Sequence, residues 1–170
     1  LADVDEFDVG AVSDTNAATN EIAENASNGD TVGITAFASD ADATTNTITY
    51  SLTDDAGGRF TINASTGVVT VANASLLDYE TDTSHSITVL ATSADGSTSS
   101  QGFTIQVLDR SEAGVGPVAD TDASADQVLE NAANGSAVGI TAQAIDPDVL
   151  DTVSYSLTDD AGGRFAIDGS

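Results

Sequence analysis

Apolar and polar positions alternate with a period of two in short runs along this chain. In "NTITYSL" the residues Ile48, Tyr50 and Leu52 point one way and Thr and Ser the other. The runs "GVVTVA", "HSITVLATS" and "GFTIQVLD" repeat the pattern, and turns rich in Gly, Asn or Asp separate them. Period-two alternation broken by turn residues predicts half-buried strands, and the abundance of Thr and Val suits a pleated surface. Helix signals are scarce. Seven or so short strands in about 100 residues predict a Greek-key β-sandwich.

The chain then repeats itself. "IAENASNGDTVGITA" around Glu24 returns as "VLENAANGSAVGITA" around Glu130, 106 positions on, and "YSLTDDAGGRF" at Tyr50–Phe60 returns 105 positions on at Tyr155–Phe165. One residue is therefore lost between Asp40 and Tyr50 in the second copy. A period this long exceeds a solenoid unit and suits a whole domain in tandem. The expected organisation is an all-β pair of sandwiches, the second incomplete. Residues 1–11 are a linker from a preceding repeat, 12–108 repeat one, 109–117 a linker, and 118–170 the N-terminal half of repeat two. That half has "VGITAQA", "TVSYSL" and "RFAI" but no counterparts of "VVTVA", "SITVLAT" and "FTIQV". Half a sandwich exposes a hydrophobic face and open edges. The expectation is a piece of something longer, with completion by a neighbouring chain as the alternative. In "YSLTDDAGGRF" itself a strand leads into a polar turn and then back to the core at Phe60 and Ile62.

Composition narrows the function. The 170 residues carry 28 acidic side chains against Arg59, Arg110 and Arg164, with no lysine, for a formal net charge of −25. Such a field repels nucleic acid and anionic membranes and attracts cations. High charge can accompany disorder, but 40% of the residues are hydrophobic and fall in the alternating runs, which argues for a folded, acid-coated protein. Cysteine is absent, so no disulfide or thiolate metal site exists. No apolar run suggests a membrane span, so no membrane insertion is expected.

The acids cluster at predicted strand ends: Glu24; Asp40 and Asp42; Asp78 and Glu80; Asp95; Asp109 and Glu112; Glu130; Asp146 and Asp148. Spacing of i, i+2 on an extended segment or tight turn lets two carboxylates converge on one ion, and calcium takes six to eight oxygen ligands. No EF-hand loop fits. The single His85 has no second histidine for a zinc site, and with no Gly-x-Ser-x-Gly elbow it makes a catalytic triad implausible. Carboxylate pairs could serve glycoside hydrolysis, but Trp is absent and no sugar platform is evident. No enzyme is expected. Arg59 and Arg164 follow Gly-Gly in both copies and are expected to pair with acids such as Asp54 or Asp159. Four Asn-x-Ser matches, at Asn25, Asn63, Asn73 and Asn134, are put down to chance in a chain rich in these residues.

Taken in order, Glu24-Asn25 with Gly29, Asp40-Ala41-Asp42, the run Phe60 to Val68, "LDYE" at 77–80 and "ATSADG" at 91–96 resemble cadherin repeats. The resemblance is strongest to the tandem cadherin-like repeats of large bacterial surface adhesins, over all of repeat one and the first half of repeat two. It implies calcium between consecutive repeats. Carried over, the interdomain ligands are Glu24, Asp78 and Glu80 from repeat one, Asp109 and Glu112 from the linker, and Asp146 and Asp148 from repeat two. Asp3, Asp5, Glu6, Asp40, Asp42 and Asp95 form a half-site shared with a preceding repeat. The family linker Asp-x-Asn-Asp-Asn is degraded to "DVDEF" and "DRSEA", with Phe7 and Ala113 in last place and Arg110 adding a positive charge. Fewer or weaker ions follow from that.

The reading is a structural and adhesive module, a calcium-stiffened rod segment of a cell-surface or secreted protein, located extracellularly. Its partners are adjacent repeats, other copies of itself, or a surface glycan or protein. One alternative is a fibre or surface-layer subunit completed by strand exchange. Another is a carbohydrate- or protein-binding module, which calls for an aromatic groove from Phe7, Phe37 and Tyr79.

Overall fold

A computed structural model describes residues 7–169. The chain divides into two compact units, at Arg110 and Ser111. Among the described residues no helix is long and apolar enough to cross a membrane.

The first unit is a β-sandwich. Its strands are β1 (Ser13–Asp14), β2 (Glu21–Ala23), β3 (Thr31–Phe37), β4 (Ile48–Asp54), β5 (Phe60–Ile62), β6 (Val68–Val71), β7 (Ser84–Ser93) and β8 (Thr98–Leu108), with a single 3-10 turn at Ala74–Leu76. One sheet has the order β1-β3-β6-β5 and the other β2-β8-β7-β4. All pairings within them are antiparallel except β2 with β8, where Ala23 lies opposite Leu108. The period-two pattern decides which face each strand buries. Val32, Ile34 and Ala36 of β3 and Val69 and Val71 of β6 share one core with Ile87, Val89 and Ala91 of β7, Ile105 of β8 and Phe60 of β5. Burying such side chains contributes roughly 1.5–3 kcal/mol each.

Between β1 and β2 the chain passes from one sheet to the other, and Gly33 makes room for that crossing. Its φ is +82°, and a Cβ there would lie 2.1 Å from the carbonyl oxygen of Thr19. Gly139 repeats the feature, with φ +81° and the Ala125 carbonyl oxygen 2.4 Å from a built Cβ. No other residue tolerates both the left-handed backbone and the close approach.

The repeated eleven-residue phrase folds alike in both copies. Asp54 Oδ1 accepts from Ala56 N–H (3.0 Å) and Asp55 Oδ1 from Gly58 N–H (2.8 Å), which braces a turn holding Ala56 at φ 56°. In the second unit Asp159 and Asp160 do the same for Ala161 and Gly163, both at 2.8 Å. The expected pairing of the arginines with Asp54 or Asp159 is corrected. Arg59 donates to the carbonyls of Leu76 and Ala56, both at 2.9 Å, and Arg164 to the carbonyl of Ala161. The neighbouring carboxylates are already taken by backbone N–H groups, so each guanidinium turns to the carbonyls that the turn leaves open.

The tyrosine at the head of the phrase does something else. Tyr50 is buried in β4, and its hydroxyl accepts from Ala38 N–H at 3.0 Å, two residues before Asp40. Tyr155 makes the same contact with Ala144, also at 3.0 Å and two residues before Asp146. The phrase therefore pins the start of an acidic loop in each unit.

The second unit is sparser. Its strands are β9 (Ala119–Asp120) and β10 (Ala142–Gln143), paired antiparallel. "TVSYSL" and "RFAI", which the alternation predicts as strands, form none. In the first unit the corresponding segments, "TITYSL" and "RFTI", bond to β7 and β6, and residues 111–169 contain no equivalent of either. Val128, Leu129, Ile140, Leu157 and Phe165 are consequently exposed.

Two measurements check this account. Tyr50→Phe strands the Ala38 amide in the interior, and we expect a loss of about 1–3 kcal/mol in chemical denaturation. His85 on β7 stacks obliquely on Phe60, with centroids 6.2 Å apart, and its Nε2 is buried. Burial, then Arg59, hold its pKa below the ordinary 6.5, while Asp82 opposes them. The unfolded chain thus binds a proton more readily, so His85 contributes stability above pH 6.5 that is lost as pH falls below that value. The denaturation midpoint should fall between pH 7 and pH 5, and less steeply in His85→Phe, if this account is right; equal slopes would contradict it.

Candidate metal centres

Among the described residues, carboxylates gather at two places within the first unit and at one within the second. In the first unit, Glu24, Asp78 and Glu80 each place one oxygen within 4.8 Å of the others. Glu24 follows β2 directly, and the parallel pairing of β2 with β8 carries it to the end of the sheet, where its N–H donates to Leu108 O at 3.1 Å. It is only 4% exposed, and both its oxygens are engaged. Oε1 accepts from Arg110 N–H at 2.7 Å and Oε2 from Tyr79 N–H at 2.6 Å. Charge-assisted bonds to two backbone donors are how a buried carboxylate keeps its charge. They also clamp the "LDYE" loop and the segment after β8 to one side chain. Asp78 is braced by Thr81, whose N–H donates to Oδ1 at 3.0 Å and whose hydroxyl donates to Oδ2 at 2.8 Å. Asp109 lies in sequence between Leu108 and Arg110, the two residues whose backbones bond Glu24, and is half-buried with Oδ1 shielded from solvent.

A second group joins Asp40, Asp42 and Asp95, again within 4.8 Å. Asp40 and Asp42 follow β3, and Asp95 sits in the tight turn between β7 and β8. Asp42 N–H donates to Asp40 Oδ1 at 3.0 Å, and Asp42 is 3% exposed. Asp95 Oδ1 accepts from Ser97 N–H at 2.6 Å, while its Oδ2 is buried with no hydrogen bond. The hydroxyl of Ser93, then the Asp42 N–H, hold the Asp40 carboxyl below the usual carboxylate range, against the opposing pull of burial. Ser97 also ties the incoming chain here, since its Oγ accepts from Val9 N–H at 2.9 Å.

The third group lies in the second unit. Asp146, Asp148 and Asp151 come within 4.8 Å of one another. Asp148 is 4% exposed, and its Oδ2 accepts from the N–H groups of Glu112 and Ala113, both at 3.1 Å. Its own N–H donates to Asp146 Oδ1 at 3.2 Å.

Of the residues expected to bind calcium, Asp3, Asp5 and Glu6 lie outside the described residues. Glu24, Asp78 and Glu80 come together in the first unit, as do Asp40, Asp42 and Asp95. Asp146 and Asp148 come together in the second, where Glu112 reaches Asp148 through its N–H. Two residues escaped the sequence reading. Asp151 is visible in "DPDVLD" as a third acid three positions on. Ser93 carries no signal of its own. Glu130, the sequence counterpart of Glu24, is exposed, because nothing in the second unit supplies the β8 edge that shelters Glu24. Phe7 and Phe37 are exposed, and Tyr79 is half-buried with its N–H on Glu24.

The first unit is thus an all-β sandwich of two four-stranded sheets with carboxylates grouped beyond its strand ends. The sequence matches the cadherin domain family over residues 19–108, just over half of its length, and the chain belongs to that family. Among solved structures it is similar to mouse cadherin-23 EC22-24, with TM-score 0.71 and 26% identity, covering 99% of this chain and 53% of that one. It is also similar in fold to the protocadherin gamma B7 extracellular cadherin domains 1-4, with TM-score 0.61 and 23% identity over 84% of this chain and 34% of that. For mouse clustered PcdhgC3 EC1-3 the TM-score is 0.52 and the identity 24%, over 64% and 35% of the two chains. The chain thus spans about half the length, or less, of these structures. No curated protein matches it.

The clamp role of Glu24 is directly measurable. Glu24→Gln replaces an acceptor by an amide that faces N–H donors, so we expect a loss of about 1–3 kcal/mol in chemical denaturation with chelator present. An unchanged midpoint would show that the two short bonds contribute nothing in the ion-free protein.

Proposed function

We propose that this chain is a calcium-binding structural and adhesive module, a rod segment of a cell-surface or secreted protein built from tandem repeats. On this reading residues 12–108 form one repeat, 109–117 a calcium-binding linker, and 118–170 the opening half of the next. The observation that carries it is the triple clustering of carboxylates beyond strand ends, each group braced by backbone N–H donors. The family membership and the likeness to cadherin-23 extracellular repeats support it further. The residues fit calcium: every donor is oxygen, three carboxylates meet in each group, and Asp95 Oδ2 is buried with no hydrogen bond.

Glu24, Asp78, Glu80 and Asp109 of the first unit, with Glu112, Asp146 and Asp148 of the second, would hold ions between repeats. Asp40, Asp42 and Asp95, with Asp3, Asp5 and Glu6, would serve a preceding repeat. Bound calcium supplies positive charge and six to eight coordination positions for oxygen. The chain's own part is to hold like charges close. Their mutual repulsion at such range is unfavourable in the ion-free protein, which leaves the linker flexible and makes its order depend on the ion. Extracellular modules bind with Kd of about 10⁻⁴–10⁻³ M, so such sites fill outside a cell. Direct binding of a glycan or partner protein is a second reading, favoured by the exposure of Phe7 and Phe37.

Small-angle scattering with a parallel calorimetric titration tests the proposal. Calcium should bind with Kd of about 10⁻⁴–10⁻³ M and extend and narrow the distribution of dimensions, reversibly with chelator. Asp109→Ala combined with Asp146→Ala should abolish the change in dimensions. No binding at about 10 mM calcium, well above that range, with the first unit folded, would sink it.

A further inference from the structure

Ser93 is the last residue of β7, opposite Ile48 of β4, and is 4% exposed. A hydroxyl so buried needs partners, and it has two. Its Oγ donates toward Asp40 Oδ2 at 2.5 Å and toward the carbonyl of Thr45 at 2.9 Å. One hydroxyl carries one proton, and a charged acceptor takes it in preference, at the short distance typical of O–H···O⁻ bonds. The backbone of Ser93 meanwhile frames the turn that carries Asp95. Its N–H donates to Ser97 O, and its carbonyl accepts from Gly96 N–H, both at 3.0 Å.

One residue therefore reaches both halves of the Asp40–Asp42–Asp95 group. Its side chain holds the carboxylate that arrives from β3, and its main chain holds the turn that presents Asp95. Without it, Asp40 would keep the Asp42 N–H but lose the hydroxyl that helps to offset the repulsion of two other carboxylates. We propose that Ser93 is a positioning residue for this group: its hydroxyl fixes Asp40 in the rotamer that binds a divalent cation, before any cation is present. Ser93 is not itself a ligand. When the ion takes up the charge of Asp40, the carbonyl of Thr45 is at hand as a second acceptor, so the buried hydroxyl stays satisfied in either state.

This rests on the calcium reading above, and the test separates the two. The site is followed in the 170-residue chain by the amide resonances of Asp40, Asp42 and Asp95 during titration with calcium chloride. In the ion-free protein, the rotamer of Asp40 is read from its side-chain couplings. In Ser93→Ala, Asp40 should average over rotamers, and calcium should bind at these three residues about tenfold more weakly, as for loss of an outer-shell partner. The response at Glu24, Asp78 and Glu80 should be unchanged, which also shows that the variant folds. Ser93→Cys, close in size but a weak donor, should behave like Ser93→Ala, and Ser93→Thr should restore both readouts. A calcium response that Ser93→Ala leaves unaltered, with Asp40 still fixed, overturns the role of Ser93 alone. No calcium response at Asp40, Asp42 and Asp95 in the unsubstituted protein overturns the calcium reading of this group together with it.

Discussion

The structure depends on gathering carboxylates beyond the strand ends of an acid-coated sandwich and holding them there with backbone N–H groups. Glu24 is the extreme case, buried and bonded at 2.7 and 2.6 Å to the N–H groups of Arg110 and Tyr79. Those bonds tie two segments that are remote in sequence from Glu24 to its side chain. Asp40, Asp95 and Asp148 follow the same rule, each accepting from main-chain donors, local ones for Asp40 and Asp95 and those of Glu112 and Ala113 for Asp148. A lysine or arginine partner would neutralise the charge permanently. Amide donors stabilise a carboxylate without cancelling it, so its attraction for a cation survives.

The sandwich makes this arrangement possible because its strands deliver loops to fixed places. β3 ends where Asp40 begins, β7 turns into β8 around Asp95, and the parallel pairing of β2 with β8 sets Glu24 beside the chain that leaves the domain. The core that holds these strands is ordinary Val, Ile, Ala and Phe packing. Tyr50 links core to site, since its ring is buried and its hydroxyl fixes the strand end ahead of the acidic loop. That one contact explains why the same phrase stands in both copies better than any role for its own aspartates, which only brace the turn.

Comparison of the two units separates local from long-range determinants. The turn around Ala161, the Tyr155 contact and the glycine against Ala125 all form in the second unit as in the first. They need only neighbours within a few tens of residues. Among the described residues strand pairing follows only in β9 with β10, the counterparts of β1 and the end of β3, because the rest of β3, β4 and β5 owe their hydrogen bonds to β6 and β7. The contrast between buried Glu24 and exposed Glu130 has the same origin.

The sequence by itself determined the strand alternation, the duplication, the acid clusters and the resemblance that named the family, since period-two patterning and turn residues are local signals. It also placed Asp40 with Asp42 and Asp146 with Asp148, pairs adjacent in sequence. The family resemblance already put Asp95 with the former pair; only the tertiary structure decided that Asp151 joins the latter, that Arg59 serves carbonyls and not carboxylates, and that Ser93 stands between two loops. The physical reason is the reach of each interaction. A hydroxyl finds a carboxylate 53 positions away only after two sheets have packed, and its type and neighbours in the chain say nothing of that.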